Sequence, residues 1–276
     1  MSAYYYDPKV SRSEKEEWEA DIRGKIEQIR IIHPRTGYRT LLHYLKRSGV
    51  LVSEYKLRKV MKQFSLGIKP KRRYVRTTNS EHSFKIYPNL VKDLKILRIN
   101  QVWVSDITYI RIENGFVYLA VILDLYSRKA IGYSISKNID GDLTLNALKM
   151  AYERRGYPKK VIHHSDRGVQ YLCEKYVAML KENKAKISCA EKGNPYENAF
   201  AESFMKTLKV EEVYLYSFIT INDVLERVPE FIEEVYNKKR IHSSLDYVTP
   251  EEFEKQVQGK SNKKTSCTKK KKSVTR

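Results

Sequence analysis

The chain has 276 residues, with 53 Lys or Arg against 33 Asp or Glu, a formal charge of +20 at pH 7. At 41% hydrophobic residues it has apolar material for a core, which excludes wholesale disorder. No run of about 18 uncharged apolar residues is present to span a membrane. The first 30 residues interleave acids with bases and lack an apolar stretch, so no secretory signal is expected. Cys173, Cys189 and Cys267 lie far apart with no C-x-x-C pair. That spacing suits a reducing, cytoplasmic compartment and speaks against a disulfide scaffold or a cysteine zinc site.

The charge is unevenly placed. Residues 1–100 hold 23 basic and 10 acidic side chains, residues 101–258 hold 22 and 23, and residues 259–276 hold eight basic and no acidic ones. A near-neutral block between two basic ones suggests a core flanked by polyanion-binding arms, with nucleic acid the expected partner.

In chain order, Trp18, Ile22, Ile26 and Ile29 recur at helical spacing and predict a helix over 18–32. A second helix is expected over 40–47, stopped by Gly49. A third is expected over 54–64 behind Ser53 as N-cap, with Leu57, Val60, Met61 and Phe64 on one stripe. Lys56, Lys59 and Lys62 fall opposite that stripe, with Arg58 on the flank. Three short helices ending in a basic one read as a helix-turn-helix domain over 1–68, its third helix on DNA. Residues 69–98 hold two prolines and no sustained period, and read as a basic linker in which Arg72 and Arg73 track phosphates.

Beyond Asn100 the pattern changes to strands, over 101–110, 115–124 and 129–136, with Asn114-Gly115 as the first turn. A helix over 143–154, a strand over 161–164, a helix over 174–183 and a strand over 185–188 follow. Two more helices are expected over 198–213 and 222–239. This is an α/β pattern, a sheet layered by helices over 99–258. The Lys-rich tail 259–276 is expected to be disordered.

Three acids stand out. Asp106 interrupts the apolar strand Trp103-Val104-Ser105-Asp106-Ile107-Thr108-Tyr109. Asp166 follows a strand in His163-His164-Ser165-Asp166-Arg167-Gly168. Glu202 lies in a helix on whose wheel Asn198, Glu202, Lys206 and Lys209 share a sector, while Phe200, Phe204 and Leu208 face away. Carboxylates from a central strand, a strand end and a neighbouring helix suit a hard divalent cation such as Mg²⁺. Two such ions clamp the attacking and leaving oxygens of a phosphoryl displacement. Without metal the carboxylates repel one another, so a loosened site is expected until ions and DNA arrive. Lys206, Lys209 and Asn198 are placed to hold phosphates beside it. Taken singly, each acid is equally well a local cap or surface charge.

Thirty-five residues separate Asp166 from Glu202, and Lys209 lies seven beyond. This resembles the Asp, Asp, 35, Glu pattern of retroviral integrases and their transposase relatives. The words around the acids, together with Pro34-Arg35-Thr36-Gly37-Tyr38-Arg39 upstream and Tyr236-Asn237 through Arg240, His242 and Leu245 to Thr249-Pro250 downstream, are similar to the integrase-core orfB-type transposases of bacterial insertion sequences. The resemblance spans about residues 30–255. It implies an RNase H-like catalytic core with a mixed five-stranded sheet, and a DDE transposase in which Asp106, Asp166 and Glu202 ligate two Mg²⁺ ions, Mn²⁺ substituting. It also implies water-driven nicking of the element's ends, attack by the freed 3′-hydroxyl on another phosphodiester, and a circular intermediate. Implied partners are double-stranded DNA, as element ends and target, and further copies of the chain, with no membrane. In that group a first reading frame commonly supplies a helix-turn-helix and a leucine zipper. No sustained heptad precedes the core here, so the chain reads as the second-frame product, a shortened form or a single-frame variant, and the upstream-frame product is an expected partner in the first case.

Two other functions remain open at this point: a nuclease that cuts without joining, and a DNA-binding regulator with idle carboxylates. His163, His164 and His242 do not make a four-ligand zinc cluster. The first two read as strand-end residues beside the site and His242, with Arg240, as a DNA contact. Ser165 and Ser203 lack the partners of a serine nucleophile.

Overall fold

In a computed structural model of the chain the described residues are 11–68, 86–190 and 199–259. They fall into two compact units, one holding residues 11–68 and the other 86–259. Linker residues 69–85 with Arg72 and Arg73, Asn198, and tail residues 260–276 lie outside the described residues.

The first unit has three helices: α1 (Arg12–Ile32), α2 (Tyr38–Arg47) and α3 (Glu54–Gln63). The start of α1 lies six residues before the apolar period because a capping box sets it. The Glu14 N–H donates to Ser11 Oγ at 3.1 Å, and Glu14 Oε2 accepts from the Ser11 N–H at 2.8 Å. In α3 the expected Ser53 cap is present, accepting from the Lys56 N–H at 3.3 Å. Ile22 and Ile26 of α1 pack with Leu41 and Leu45 of α2 and Leu57, Val60 and Met61 of α3 into one core. Burying each such side chain contributes about 1.5–3 kcal/mol.

The second unit is built on a five-stranded sheet ordered β3-β2-β1-β4-β5. Strands β1 (Val102–Ile112), β2 (Gly115–Asp124) and β3 (Ala130–Ser136) are antiparallel neighbours. Strands β4 (Ile162–Ser165) and β5 (Lys186–Cys189) extend the sheet in parallel with β1. Gly115, with φ of 125°, supplies the turn conformation between β1 and β2 that a side chain resists. This is the mixed sheet that the resemblance implied, and the fold is RNase H-like.

Helices cover both faces. Helix α4 (Gly141–Arg155), the short α5 (Val169–Leu172) and α6 (Glu174–Glu182) pack with Trp103, Ile122 and Ile131 on one face. A Cβ at Gly132 would run into the Ala147 carbonyl oxygen, so the approach of α4 to β3 requires glycine there. On the other face Val102, Val104 and Val121 meet Phe204 and Leu208 of α7 (Ala199–Leu208), and Val224 and Val228 of α8 (Ile221–Glu230).

Four features depart from the sequence reading. Residues 86–98 lie along the sheet unit and are not linker. The Leu90 N–H donates to Ser188 Oγ at 2.8 Å, and Val91, Leu94 and Ile96 pack on the core without following a helix or strand period. Each of the two late helices relaxes into a wider π-type turn, at Lys209–Val213 and Phe231–Asn237. In the second, Pro229 removes an N–H and crowds the preceding turn, which the wider turn accommodates. Residues 250–259 form an unpredicted helix, entered through a Thr249/Glu252 capping box of 3.0 and 3.2 Å. Among the described residues no helix is long and apolar enough to cross a membrane.

Candidate active site

Strand alternation puts Asp106 on the face of Val102 and Val104, the face that α7 covers. Its Oδ1 accepts from the Ile107 N–H at 2.8 Å. Asp166 directly follows β4, and its Oδ1 accepts from the Gly168 N–H at 2.9 Å, an Asx-type turn. A Cβ at Gly168 would crowd that same oxygen at 3.0 Å, which accounts for the glycine. Glu202 stands exposed in the first turn of α7, with Ala201, Phe204, Met205 and Leu208 buried around it.

These acids act on one another. The Asp106 carboxyl is pushed up to about 7, first by burial, then by the charge of Asp166 and, further down, that of Glu202. The Ile107 N–H and the charge of Lys209 oppose the rise. Lys209, the first residue beyond α7, lies with Nζ 4.3 Å from the centre of the Tyr109 ring. Burial lowers its pKa and Asp106 pulls it back up. Lys206, one turn earlier, is exposed. Among the described residues no three His, Cys, Asp or Glu side chains are drawn close enough to hold a metal ion as they stand.

Tyr171, which the sequence reading passed over, belongs here. It is buried, and burial, Asp166 and Asp106, in that order, hold its phenol well above its usual range. Its hydroxyl has no hydrogen-bond partner among the described residues. Its position five residues after Asp166, in the short α5, was the available signal.

The two histidines separate. His163 pairs with Trp103 in register and shares the α6 face, away from Asp106. There the Ser105 and Tyr176 hydroxyls lie 2.7 and 2.8 Å from its Nε2, and burial keeps the ring neutral down to about 3. His164 shares the Asp106 face, with Nδ1 2.9 Å from Ser188 Oγ. Asp124 is a turn acid, accepting from the N–H groups of Asn100, Tyr126 and Ser127 at 2.7, 2.9 and 3.1 Å.

Arg240 and His242, expected on DNA, are engaged inside the unit instead. The Arg240 guanidinium lies 3.1 Å from buried Glu211, and the His242 ring meets Tyr236 edge to face at 5.0 Å. Burial, then Arg240 and Arg128, lower the His242 pKa to about 3. Tyr236 in turn meets Phe204 of α7 at 4.7 Å, so these residues support the Glu202 helix from behind. In the first unit Lys59 and Lys62 are exposed. Lys56 lies over the Trp18 ring at 5.6 Å, and Arg58 approaches Glu54 at 3.6 Å.

The Integrase core domain family matches residues 97–195, and a second Integrase core domain family matches residues 183–250. The chain is 36% identical over 257 residues to the insertion element IS600 31 kDa protein of Shigella sonnei, covering 91% of this chain and 93% of that one. It is 35% identical over 222 residues to the transposase for insertion sequence element IS904 of Lactococcus lactis, covering 80% and 88%. The chain belongs to the integrase-core transposases of bacterial insertion sequences. It is also 36% identical over 221 residues to the InsF transposase for insertion sequence IS3A of Escherichia coli K12, covering 80% of this transposase and 77% of that one. The first family match contains Asp106 and Asp166, and the second contains Glu202.

Proposed function

We propose that this transposase cuts a phosphodiester at the ends of its element and joins the freed 3′-hydroxyl to another strand, at a site formed by Asp106, Asp166 and Glu202. The observation that carries the reading is the Asp106 carboxyl, raised to about 7 by burial and by two other acids from separate parts of the chain. A carboxylate crowded by like charge in a partly buried site is one that a divalent cation relieves.

The donor set, three carboxylates with no sulfur or imidazole, fits a hard cation. Asp106, Asp166 and Glu202 are the residues that would hold Mg²⁺, or Mn²⁺ in its place. Two such ions, when bound, supply activation of the attacking oxygen and charge neutralisation at the leaving one. Asp106 and Asp166 are fixed by backbone hydrogen bonds, so exposed Glu202 is the ligand that closes the set when DNA arrives.

In the first step a water oxygen bonds to phosphorus and the bond to O3′ breaks, leaving a 3′-hydroxyl and a 5′-phosphate. In the second, that 3′-oxygen bonds to the phosphorus of another phosphodiester and the O3′ there departs, taking up a proton. The chain itself forms no covalent bond to DNA. Lys206 holds a phosphate one turn from Glu202, and Lys209 offsets charge beside Asp106. Lys56, Arg58, Lys59 and Lys62 hold duplex backbone on α3. An element has two ends and each chain one set of acids, so the working assembly contains at least two copies.

The test is incubation of purified protein with paired element ends, a target duplex and Mg²⁺. Strand-joined products are the expected result. Cuts without joining would reduce the protein to a nuclease, and binding without cuts to a DNA-binding regulator.

A further inference from the structure

The carboxylates lie towards the end of the sheet where β4 finishes. At the opposite end, where β1, β4 and β5 begin, the structure has an open hollow of about 420 Å³ lined by Leu97, Arg98, Gln101, Lys160, Ile162 and Lys186. Asp166 lies four positions beyond Ile162, so the hollow is about 13 Å from the site along the sheet.

Three observations distinguish this end from an ordinary solvated surface. First, the cations are unspent. Among the described residues Lys95, Arg98, Lys160, Lys184 and Lys186 have no carboxylate partner, although each is exposed. Five such cations are gathered at this one end, whereas several elsewhere in the unit are paired, such as Arg154 with Glu233 at 2.6 Å, Arg155 with Glu254 at 2.5 Å and Arg227 with Glu212 at 2.8 Å. Secondly, the loops carrying them are held firmly. The Gln101 side chain accepts from the Leu97 N–H at 2.7 Å and donates to the Lys95 carbonyl at 2.9 Å. The Ile162 N–H donates to the Gln101 carbonyl at 3.0 Å, and the Lys186 N–H to the Val161 carbonyl at 2.8 Å. Asn100, Lys160 and Lys184 take left-handed backbone, with φ of 59°, 63° and 55°, as the chain turns into each strand. Thirdly, these cations stand beside apolar surface, exposed Leu97 and half-buried Ile162.

Cations interspersed with apolar surface match a nucleic-acid backbone, which alternates charged phosphates with apolar sugar edges. We infer that this end of the sheet is a second DNA-binding surface, which holds the backbone of a duplex away from the cutting site through Arg98, Lys160 and Lys186. It is independent of the metal chemistry proposed above and rests only on the protein's acting on DNA. Its placement lets one copy hold a DNA segment that it does not cut. Preset loops keep the ordering cost of such a contact low.

The test is the combined variant Arg98→Gln, Lys160→Gln and Lys186→Gln in the full chain, titrated with random-sequence duplex DNA over a range of salt without metal. Each phosphate contact contributes about 0.9 to the slope of log K against log salt, so loss of three lowers the slope by about 2–3. Affinity should fall several-fold, while the melting temperature stays unchanged because the three side chains are exposed. In wild type, DNA should also protect Lys160 and Lys186 from amine acetylation more than exposed Lys149 on α4. An unchanged slope with no protection would overturn the inference. A changed oligomeric state with an unchanged slope would also overturn it, assigning the surface to a second copy of the chain. Neither result depends on Glu202, so failure here is separate from failure of the cutting site.

Discussion

The guanidinium of Arg128 lies 3.6 Å from the centre of the Phe200 ring, two residues before Glu202. Arg128 occupies the turn between β2 and β3 in left-handed backbone, φ 62°. One exposed end of the Glu202 helix is therefore held by a side chain from a strained turn.

Arg128→Gly tests that relationship. Glycine relieves about 1 kcal/mol of left-handed backbone cost, while loss of the cation–π contact costs about 0.5–2 kcal/mol. The two nearly cancel, so the melting temperature should hardly move. Strand cleavage should fall markedly, because the start of α7 is no longer fixed. Arg128→Lys, which keeps a cation, should recover part of it. Full activity in the glycine variant would mean that the contact does not position Glu202.

Asp106 makes the metal-free fold sensitive to pH. Its carboxyl is raised from an ordinary value near 4 to about 7, so the folded state holds the proton more tightly than the unfolded state. The stability linked to that proton is complete below about pH 4 and is lost as pH rises through 7. Asp106→Asn should match wild type at pH 4 in urea melts and exceed it above pH 7, by up to about 4 kcal/mol for three units. Added Mg²⁺ should stabilise wild type and leave the variant unmoved. Parallel pH curves for the two proteins would contradict the crowding of acids at Asp106.

On α3, Lys59 and Lys62 are exposed and Lys56 is partly engaged with Trp18. Replacing all three with Gln should weaken duplex binding and reduce the salt slope by about 2–3. The helix should survive, since its Ser53 cap and its apolar stripe are untouched. An unchanged slope would take α3 off the phosphate backbone.

Much of this is legible in the sequence alone. The Asn114-Gly115 turn marks β2, whose bounds match the expectation, and Ser53 marks the start of α3. The spacing from Asp166 to Glu202 selected acids that the fold brings under one another's influence. What escaped was set by contacts distant in sequence or by short local chemistry. Residues 86–98 bury Val91, Leu94 and Ile96 against the sheet without a period to announce it. The Ser11 and Thr249 capping boxes, each three residues before a glutamate, start helices at positions that the apolar period alone does not mark. Arg240 and His242 carry charge and ring chemistry that reads as DNA-binding, until Glu211 and Tyr236 are seen against them. Burial, which sequence spacing does not show, decided their role.

The most direct measurement is cutting and joining by Glu202→Gln, with DNA affinity measured in parallel. The substitution removes a charge and almost no volume from an exposed position, so the fold and DNA binding should match wild type. Nicking and strand joining should both disappear in Mg²⁺. Retention of either at a rate comparable to wild type would contradict the assignment of Glu202, and with it the three-acid site.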